Sequence, residues 1–432
     1  MSFLSAQPLV SRKVRLLTVL DIGSTKITCI IARLRPRESV NYLHARTHHM
    51  EILGFGVQRS QGVKSGGVVD MAALEQSIRL VVDAAEQQAG LVVDSLIVNF
   101  SCGHLSSSIV KGSAIIGSRQ VNRADVRHVL ADASRKAIGL DRHVVHYMPL
   151  HYSLDNDSNV ADPVGMVGNE LGADVHVLTA ENTPLRNLEL CINRAYLSVE
   201  AMVATPFASG LSVLVGDEAR LGAACIDLGG GTTTFSVFAD GQFVHAGAIG
   251  IGSHHVTLDI ARGLSTAVSA AERLKVLHGS SLQNCAEDRH MISISPLAGE
   301  NIETQYPRGV LNRIIRARIE ETLELVRDRL NRSGYGHVVG KRVVLTGGGS
   351  QLTGLTETAQ RILGRNVRVG RPLGVSGLPT MAKGAAFAAS VGLLIYPQSA
   401  GFSEKSLQAV RDAKSMSGGH FYRVGQWLKR SF

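Results

Sequence analysis

The fold is decided by two related stretches, Asp21-Ile22-Gly23-Ser24-Thr25-Lys26 and Asp227-Leu228-Gly229-Gly230-Gly231-Thr232-Thr233. Each stretch lies between two apolar segments, which are Leu16–Leu20 and Ile27–Ile31 for the first and Ala223–Ile226 and Phe235–Phe238 for the second. An apolar strand, a glycine turn and a second strand are typical of a β-hairpin. The two hairpins begin 206 residues apart (227 minus 21). This spacing predicts an internal duplication, with one hairpin in each of two similar lobes.

The residue types within these hairpins suit the binding of phosphate. Glycine lets the backbone approach an anion closely, and successive backbone N–H groups form a concave anion site. Asp21 and Asp227 stand where a strand enters its turn, a position suited to holding a hydrated Mg²⁺ against phosphate oxygens. Lys26 adds a cation beside them. Further hydroxyl donors are Ser24, Thr25, Thr232 and Thr233. A single hairpin of this kind is a common turn, whereas two copies at this spacing predict a phosphate site.

A third glycine turn follows later in the chain. Arg342–Thr346 reads as a strand and runs into Gly347-Gly348-Gly349-Ser350, with a helix predicted from about Leu352. A strand, a glycine turn and a helix N-terminus form a site for phosphate or ribose, although three glycines also serve simply to turn a chain. The sequence contains no GxxxxGK[ST] loop, and no GxGxxG follows a strand.

The composition fits a large α/β protein. The 432 residues correspond to roughly three domains. Apolar residues make up 44% and charged residues 19%, which is enough apolar material for a large core. Apolar positions at helical spacing predict helices over Met71–Gln88 and Leu311–Leu330, and Leu96–Phe100 reads as a strand. Alternating helices and strands, together with 45 glycines, favour α/β lobes.

The same composition argues against several classes of protein. No uninterrupted apolar run reaches the roughly 18 residues that span a bilayer. Arg12, Lys13 and Arg15 occupy the place where a secretion signal needs an apolar core. The five cysteines are scattered without a CxxC pair, which fits a reducing cytoplasm and predicts neither a disulfide framework nor a zinc site. The net charge of +9 is spread along the chain, so we expect no nucleic-acid partner.

Taken in order, the two hairpins and the late Thr346–Gly349 turn resemble the nucleotide site of the actin/Hsp70/sugar-kinase superfamily. Two further regions narrow the resemblance to the FtsA family of bacterial cell-division proteins. His143–Leu150, continued by Asp162–Met166 and Val175–Thr179, looks like the extra subdomain of that family, and Val424–Phe432 is similar to its membrane-targeting helix. The resemblance covers nearly the whole chain. It implies an α/β, actin-like duplicated ATPase fold of two lobes with an FtsA-type inserted subdomain.

The resemblance also implies a division of the chain into units. These are the core of lobe 1 (1A) at 14–93 and 180–215, the inserted subdomain (1C) at 94–179, the core of lobe 2 (2A) at 216–253 and 332–397, subdomain 2B at 254–331, a flexible linker at 398–418 and an amphipathic helix at 419–432. The composition of 398–418, rich in Ser, Ala and Gly, favours a linker independently of the family.

The ligands implied by the resemblance are ATP and Mg²⁺, with Asp21 and Asp227 holding the metal through water. The two hairpins would bind the phosphates and Gly347–Gly349 would back the adenosine. Glu272 and Lys275, within a segment similar to that of the superfamily, would touch the ribose and adenine. Thr205 stands where hydrolysing relatives carry a Glu or Gln that orients water. We therefore expect ATP to act as a clamp between the lobes rather than to undergo rapid hydrolysis.

The end of the chain predicts a helix that lies in the membrane interface. Its apolar members share one stripe at about 100° per residue, and three cations with no acidic residue give the segment a charge of +3. A helix docked on its own domain is the alternative, although the preceding linker favours the membrane. One such short helix binds lipid weakly, so several linked copies are needed for firm attachment. The expected membrane-binding residues are Phe421, Val424, Trp427, Leu428, Lys429, Arg430 and Phe432.

Two weaker candidates remain. Arg313, Arg316 and Arg318 cluster near the start of a predicted helix, where they form either a solvated face or a site for an acidic peptide. The resemblance implies that the C-terminal peptide of FtsZ docks on this subdomain. A second candidate is the group His143, His146 and His151. A strand places residues three apart on opposite faces, so we expect no metal site there.

The leading hypothesis is an actin-like, ATP-binding cell-division protein that polymerises at the inner face of the cytoplasmic membrane and anchors the FtsZ ring. Its partners would be the FtsZ C-terminal peptide, further copies of itself in a filament, the anionic membrane surface and later divisome membrane proteins. It would be a peripheral protein at the division septum. The alternative is an enzyme of the same fold, an ATPase or a phosphotransferase. An Hsp70-like chaperone needs a β-rich domain, for which the 35 residues after Pro397 leave no room.

Overall fold

The structure is a computed structural model that describes residues 14–36, 46, 48–101, 104–137, 142–155, 157–282, 286–294 and 304–399. Within these residues the chain forms two lobes, each built on a five-stranded sheet, and a smaller unit inserted into the first lobe. The second lobe and the insertion each contain one cluster of buried apolar residues, and the cluster of the first lobe extends into the second lobe, for example through Phe238 and Phe243.

The first lobe is formed by two separate parts of the chain, with the insertion between them. The first part contains β1 (Arg15–Ile22), β2 (Lys26–Pro36), β3 (His48–Arg59), β4 (Val63–Lys64), β5 (Gly67–Val68), α1 (Met71–Ala89) and β6 (Ser95–Phe100). The insertion contains β7 (Ser106–Gln120), α2 (Arg123–Ala137), β8 (Arg142–Leu154), β9 (Asp157–Val160) and β10 (Val167–Glu181). The chain returns to the first lobe with α3 (Asn182–Arg194), β11 (Ser198–Ala204) and α4 (Thr205–Val213).

The second lobe follows without interruption. Its elements are α5 (Gly216–Leu221), β12 (Ala223–Leu228), β13 (Thr233–Ala239), β14 (Gln242–Ile249), α6 (Ser253–Gly263), α7 (Val268–His278), β15 (Met291–Ile294), β16 (Thr304–Pro307), α8 (Arg308–Arg332), β17 (Arg342–Thr346), α9 (Leu355–Leu363), β18 (Asn366–Val369) and α10 (Ala388–Ser399). The predicted helix at Leu311–Leu330 is α8, and the predicted strand at Arg342–Thr346 is β17.

The two large sheets have the same topology, which confirms the predicted duplication. The strand order is β11-β6-β1-β2-β3 in the first lobe and β18-β17-β12-β13-β14 in the second. In both, three antiparallel strands form a meander, and two parallel strands are added beside the first strand of that meander. The two predicted hairpins are β1–β2 and β12–β13, so their turns lie at equivalent places in the two sheets.

The local sequence of α1 determines where this helix begins and ends and which of its faces is buried. The Asp70 side chain accepts hydrogen bonds from the backbone N–H groups of Ala72 and Ala73 at 3.0 and 3.1 Å, which caps the helix N-terminus. Gly90 ends the helix with a φ of 64°, a conformation that favours glycine. The residues between them bury one face, including Leu74 and Ile78, against the first sheet. The predicted helix at Met71–Gln88 is thereby confirmed.

The insertion is a four-stranded sheet in the order β7-β10-β8-β9, with α2 packed against it. The implied start of this unit at residue 94 is wrong. Strand β6 pairs in parallel with both β1 and β11, because its apolar run is buried inside the first sheet. The insertion therefore begins after Phe100, and residues 95–100 belong to the core of the first lobe.

Helices α4 and α10 cross between the lobes, and each packs on the sheet of the other lobe. Helix α4 follows the last strand added to the first sheet but contacts β12, β13 and β14 of the second. Helix α10 follows the second lobe but contacts β1, β2 and β6 of the first. Where the helices cross, a Cβ atom on Gly392 would lie 1.8 Å from the carbonyl oxygen of Ala208. Glycine is therefore required for this approach.

The C-terminal helix extends slightly further than the sequence predicted. Helix α10 ends at Ser399, so the first two residues of the predicted linker 398–418 are helical. The helix end is fixed because Gln398 Oε1 accepts a hydrogen bond from the backbone N–H of His48 at 3.0 Å. The rest of that linker and the predicted helix 419–432 lie outside the described residues. No helix among the described residues is both long and apolar enough to cross a bilayer.

The crossing of α4 and α10 predicts a strong effect of Gly392→Ala. The added methyl group meets a backbone carbonyl that cannot rotate away, so we expect a loss of about 3 kcal/mol in the free energy of unfolding. Urea unfolding measures it. Gly250→Ala is the matched control, because a Cβ atom there meets nothing within 4 Å. Equal stability of the two variants would contradict the close crossing.

Candidate nucleotide-binding site

A cleft between the two lobes brings the predicted phosphate residues together. It has a volume of about 450 Å³. The turns of both hairpins form one part of its wall, and the glycine turn after β17 forms another. Helices α6 and α7 contribute Ser253, Val256, Glu272 and Lys275 to the wall. These five segments come from separate parts of the sequence.

The turns of the two hairpins have equivalent geometry and face each other. The Gly23 N–H donates to the Lys26 carbonyl at 3.0 Å, and the Gly229 N–H donates to the Thr232 carbonyl at 3.0 Å. A Cβ atom on Gly230 would lie only 1.9 Å from Thr25 Oγ1 of the opposite turn. The two predicted hairpins therefore lie opposite one another, and residues of both turns line the same cleft.

Asp21 and Asp227 are buried where β1 and β12 enter these turns. Each is held by a serine from the other half of the molecule. Ser390 on α10 donates to Asp21 Oδ2 at 2.5 Å, and Ser209 on α4 donates to Asp227 Oδ2. The exchange of helices therefore gives each carboxylate a hydroxyl donor that its own lobe does not supply.

Asn99, at the end of β6, fixes Asp21 from a second direction. Its Nδ2 donates to Asp21 Oδ1 at 2.7 Å, and its Oδ1 accepts from the backbone N–H of Ile22 at 2.7 Å. The same Nδ2 donates to Thr205 Oγ1 at 3.2 Å. Asn99 thus links the first hairpin to the start of α4.

Burial dominates the electrostatics of the two carboxyl groups. Burial raises the pKa of Asp227 to about 6, and the negative charge of Asp21 raises it further. The hydrogen bond from Ser209 acts in the opposite direction and lowers it. Burial raises the pKa of Asp21 as well, although Lys26, Ser390 and Asn99 act in the opposite direction. Burial also lowers the pKa of Lys26. Two buried carboxyl groups beside one ammonium form a site that a divalent cation would stabilise.

Lys26 connects the two lobes at this point. Its Nζ donates to the carbonyl oxygen of Ala386 at 2.5 Å and lies 3.3 Å from the centroid of the Phe387 ring. Both contacts lie just before α10 in the sequence, whereas Lys26 begins β2 of the first lobe. The ammonium group is therefore held at the cleft rather than extended into solvent.

The wall on the second lobe carries an ordered polar group. Lys275 Nζ donates to Glu272 Oε2 at 2.7 Å and to Thr257 Oγ1 at 2.9 Å, and the Thr257 hydroxyl donates to the same carboxylate. Although burial raises the pKa of Glu272, these hydrogen bonds lower it overall. An ionised carboxylate beside an ammonium suits the hydroxyl and amino groups of a nucleoside.

Two further observations show that the cleft fits a nucleotide with Mg²⁺. The Thr234 hydroxyl is buried at the cleft and has no hydrogen-bond partner among the described residues. A Cβ atom on Gly347 would lie 2.2 Å from Asp227 Oδ1, so this glycine leaves the space beside that oxygen open. A hydroxyl donor and an accessible carboxylate oxygen are the groups that phosphate and hydrated Mg²⁺ need, respectively.

The predicted nucleotide residues line this cleft with one exception. Thr233 begins β13 and is fully buried, whereas Thr234 lines the cleft in its place. The reason is that successive residues of a strand face opposite sides. Sequence reasoning missed Asn99, Ser209 and Ser390. Each is a buried polar residue within an otherwise apolar strand or helix, and that contrast is the signal that reveals them.

Thr205 connects the cleft with the insertion. It lines the cleft, and its hydroxyl donates to the Phe100 carbonyl at 3.0 Å. The N–H of the preceding Ala204 donates to Nε2 of His146 on β8 at 3.0 Å. Burial lowers the pKa of His146 to about 3, so the ring is neutral and Nε2 accepts. A side chain of the insertion is therefore bonded directly to the segment that enters the cleft.

The three predicted arginines do not form one surface. On α8, Arg316 and Arg318 lie about 160° apart around the helix axis, so they face opposite sides. Arg318 pairs with Asp259 and Glu321 at 2.6 Å each, so its charge is already compensated within the protein. Arg313 is exposed. The prediction of a single arginine cluster is wrong in this respect, because residues two apart cannot share a helix face.

His143, His146 and His151 all lie on β8. His151 Nε2 is 3.2 Å from Asp174 Oδ2 on the neighbouring strand, while His146 is buried against α4. Among the residues that the structure describes, no group of three His, Cys, Asp or Glu side chains is arranged to hold a metal ion.

Two duplicated lobes around a cleft, with exchanged helices and a unit inserted into the first lobe, define an actin-like protein. Solved structures agree with this class. The PilM-PilN type IV pilus biogenesis complex gives a TM-score of 0.61 at 17% identity, covering 91% of this chain and 98% of that chain. MreB5 of Spiroplasma citri bound to ADP gives 0.54 at 13% identity, with the same coverage. At these identities the likeness shows the fold alone.

Sequence comparisons identify the family within this class. The family model for "Cell division protein FtsA" matches residues 224–392, and that for "SHS2 domain inserted in FTSA" matches residues 102–179. FtsA of Agrobacterium fabrum is 56% identical and FtsA of Rhizobium meliloti 54%, each over 99% of this chain and 97% of the relative. FtsA of Escherichia coli K12 is 30% identical over 97% of this chain and 98% of the relative. The chain therefore belongs to the FtsA family of cell division proteins.

The contact between the two turns can be tested by asking whether a second substitution restores the ATP affinity that a first one lowers. Gly230→Ala places a methyl group against Thr25 Oγ1, so the turns must separate and we expect at least a tenfold loss of ATP affinity, or about 1.4 kcal/mol. Thr25→Ala removes the colliding oxygen and leaves its Cβ atom 3.1 Å away. The double variant should therefore bind ATP better than Gly230→Ala alone. Isothermal titration measures all three, and additive losses would contradict the facing arrangement.

The raised pKa of Asp227 predicts a pH dependence of stability without nucleotide. Its pKa rises from 3.8 in the unfolded chain to about 6 in the folded protein, so the folded state binds more protons between these values. Asp227 therefore destabilises the protein increasingly from pH 4 upward, by at most about 3 kcal/mol above pH 6. Asp227→Asn removes this effect. Its melting temperature relative to the wild type should rise between pH 5 and pH 7.5, and a constant difference would contradict the shift.

Proposed function

We propose that this protein binds ATP with Mg²⁺ in the cleft, polymerises at the inner face of the cytoplasmic membrane and anchors the FtsZ ring there. The observation that carries the nucleotide part is the pair of facing glycine turns with one buried carboxylate each. Membership of the FtsA family supports the role in cell division. Recruitment of later membrane proteins of the divisome to the septum completes the proposal.

Each part of the cleft has a distinct task in this proposal. The N–H groups of the two turns bind the phosphates, and Lys26 contributes a positive charge at the junction of the lobes. Asp21 and Asp227 hold the metal through water, and the metal supplies charge neutralisation for the phosphates. Glu272 and Lys275 bind the ribose and base from the second lobe. Because these groups belong to different lobes, ATP favours the closed arrangement of the cleft.

The cleft offers little for rapid hydrolysis. Among the described residues, the carboxylates that line it are Asp21, Asp227 and Glu272. The first two are hydrogen-bonded within the protein, and the third pairs with Lys275. Thr205, at the position that orients water in hydrolysing relatives, carries a hydroxyl already donated to a backbone carbonyl. A group that positions or deprotonates water is what accelerates phosphoryl transfer to water. The enzyme alternative is therefore not favoured, and we propose that ATP acts as a clamp.

Attachment to the membrane is assigned to the segment 419–432, on its sequence alone. The contact with the FtsZ C-terminal peptide is assigned to the subdomain that contains α8, where Arg313 is the predicted arginine that is exposed. Assembly of several copies into a filament would link their tails. Multivalent attachment strengthens a weak membrane helix without any new contact.

Sedimentation with anionic liposomes in the presence of ATP and Mg²⁺ tests the proposal. Removal of residues 419–432 should reduce pelleting by about tenfold, because the apolar stripe and the cations are lost together. Added FtsZ should pellet only when the full chain is present. Leu428→Arg and Gln426→Arg form a matched pair, since they add the same charge on the apolar stripe and on the opposite face, respectively.

Four results would count against the proposal. Undiminished pelleting of the truncated chain would exclude the tail as the anchor, and equal pelleting of the two arginine variants would exclude the amphipathic helix. FtsZ that stays in the supernatant beside a pelleted full chain would exclude the tether. Phosphate release at many turnovers per second, abolished by Asp227→Ala, would favour the enzyme alternative.

A further inference from the structure

In the first sheet, one end of the strands points toward the nucleotide cleft and the other end lies farthest from it. Strand β1 runs toward the cleft and ends beside Asp21, and β6 and β11 run parallel to it. The starts of these three strands, and the end of the antiparallel β2, therefore lie together on the side of the lobe that faces away from the cleft. We name this the distal edge. The loops before β6 and β11 are neighbours there, because Ser198 donates from N and from Oγ to the Asp94 carbonyl at 2.9 Å each.

The loops at the distal edge expose large apolar side chains. Val92, before β6, is 85% exposed and Tyr196, before β11, is 87% exposed. Val14 and Leu16, at the start of β1, are also exposed. Apolar residues gathered at one edge of a protein mark a contact surface more often than single scattered ones do.

The backbone at Tyr196 has an uncommon conformation, and a neighbouring cation contacts its ring. It has a φ of 64°, which is unusual for a bulky side chain. Its N–H donates to the Asn193 carbonyl at 3.0 Å just after α3, a position that glycine usually occupies. The Arg79 guanidinium lies 5.4 Å from the ring centroid and is anchored to the Arg194 carbonyl at 2.9 Å. The structure thus holds an exposed aromatic ring in an unfavourable conformation.

The C-terminal segment leaves the described structure at the same edge. Gln398, near the end of α10, accepts from His48, and His48 pairs with Pro36 at the end of β2. The 19 residues 400–418 then separate α10 from the predicted membrane helix. A flexible chain of that length spans about 25 Å on average, whereas a protein of 400 residues measures about 55 Å across. A membrane that binds the tail therefore lies closer to the distal edge than to the cleft.

The described arginines at this edge are engaged in ion pairs within the protein. Arg15 pairs with Glu200 at 3.1 Å, and Arg33 and Arg35 share Glu51 at 3.3 and 3.2 Å. The contact with lipid that the exposed residues of this edge offer is therefore apolar insertion. Tyrosine, with an apolar ring and a polar hydroxyl, is suited to the interface between water and lipid.

We infer that the distal edge lies against the lipid bilayer and that Val92 and Tyr196 insert into its interface beside the tail. This inference rests on the proposed membrane attachment and adds a second contact to it. It also fixes the orientation of the protein, with the nucleotide cleft turned away from the lipid.

An environment-sensitive nitrobenzoxadiazole dye on Val92→Cys tests the inference in the full chain. The described cysteines are buried, and burial raises the pKa of Cys29 to about 12 and of Cys191 to about 11, so these thiols react poorly. Cys102 and Cys285 are replaced by Ser. Leu277→Cys is the matched control, because Leu277 is exposed on α7, the helix whose Glu272 and Lys275 line the cleft. With vesicles of phosphatidylcholine and phosphatidylglycerol, the dye at position 92 should brighten about twofold and the control should not.

Three outcomes would overturn the inference. If the chain pellets with vesicles but the two dyes respond equally, the distal edge is not inserted and the proposed tail attachment stands. If brightening requires ATP but no vesicles, the edge contacts a second copy instead. If no variant pellets, the tail attachment fails and the inference falls with it.

A second variant separates lipid contact from a structural role. Tyr196→Gly relieves the unfavourable φ, so its melting temperature should equal or exceed that of the wild type. Its affinity for the same vesicles should nevertheless fall about threefold, because the inserted ring is lost. Unchanged affinity of a Val92→Ser, Tyr196→Gly double variant would overturn the inference.

Discussion

Two buried carboxylates, Asp21 and Asp227, set the constraint on which the rest of the structure depends. A carboxylate removed from water must be compensated by hydrogen bonds or by cations. Here the compensation crosses between the halves of the chain, since Ser390 serves Asp21 and Ser209 serves Asp227. These bonds require α4 and α10 to be exchanged between the lobes, and that exchange requires a glycine where the helices cross. The cleft, its electrostatics and the relation of the lobes therefore follow from the placement of one residue type at two equivalent positions.

The insertion is tied to the same centre. Asn99 joins Asp21 to Thr205, and the adjacent Ala204 donates to His146 of the insertion. The insertion also reaches the second lobe, because Gln242 donates to the Leu150 carbonyl at 2.7 Å and the Ala246 N–H donates to Ser107. The insertion is therefore bonded both to the segment that enters the cleft and to the second lobe. A change in the distance between the lobes would therefore affect the hydrogen bonds of the insertion to Ala204 and those to the second lobe together.

Much of this arrangement can be predicted from the sequence. The features that cannot be predicted depend on contacts between residues far apart in the chain. The hairpins can be recognised from the sequence because the same combination of an aspartate at a strand end and a glycine turn occurs twice, 206 residues apart. Ser209 and Ser390 stand out in the sequence only as polar residues within apolar helices. The carboxylates that they bind lie in the other lobe, so no local pattern indicates these partners. The arginines of α8 are close together in the sequence, but the helix directs Arg318 toward Asp259, on a different side from Arg316. The implied boundary at residue 94 places β6 in the insertion, because sequence order does not reveal that this strand pairs between β1 and β11.

The exchange of α4 and α10 has a consequence for how the molecule is built. Each half of the chain carries a helix that is needed to cover the sheet of the other half. Neither half, made separately, would bury its own apolar sheet surface, and cutting the chain between them would leave two fragments that depend on mutual complementation. An ancestral single lobe with this topology would have had the same need, and a pair of identical copies swapping their last helices satisfies it. The present chain has the architecture of such a dimer joined into one polypeptide.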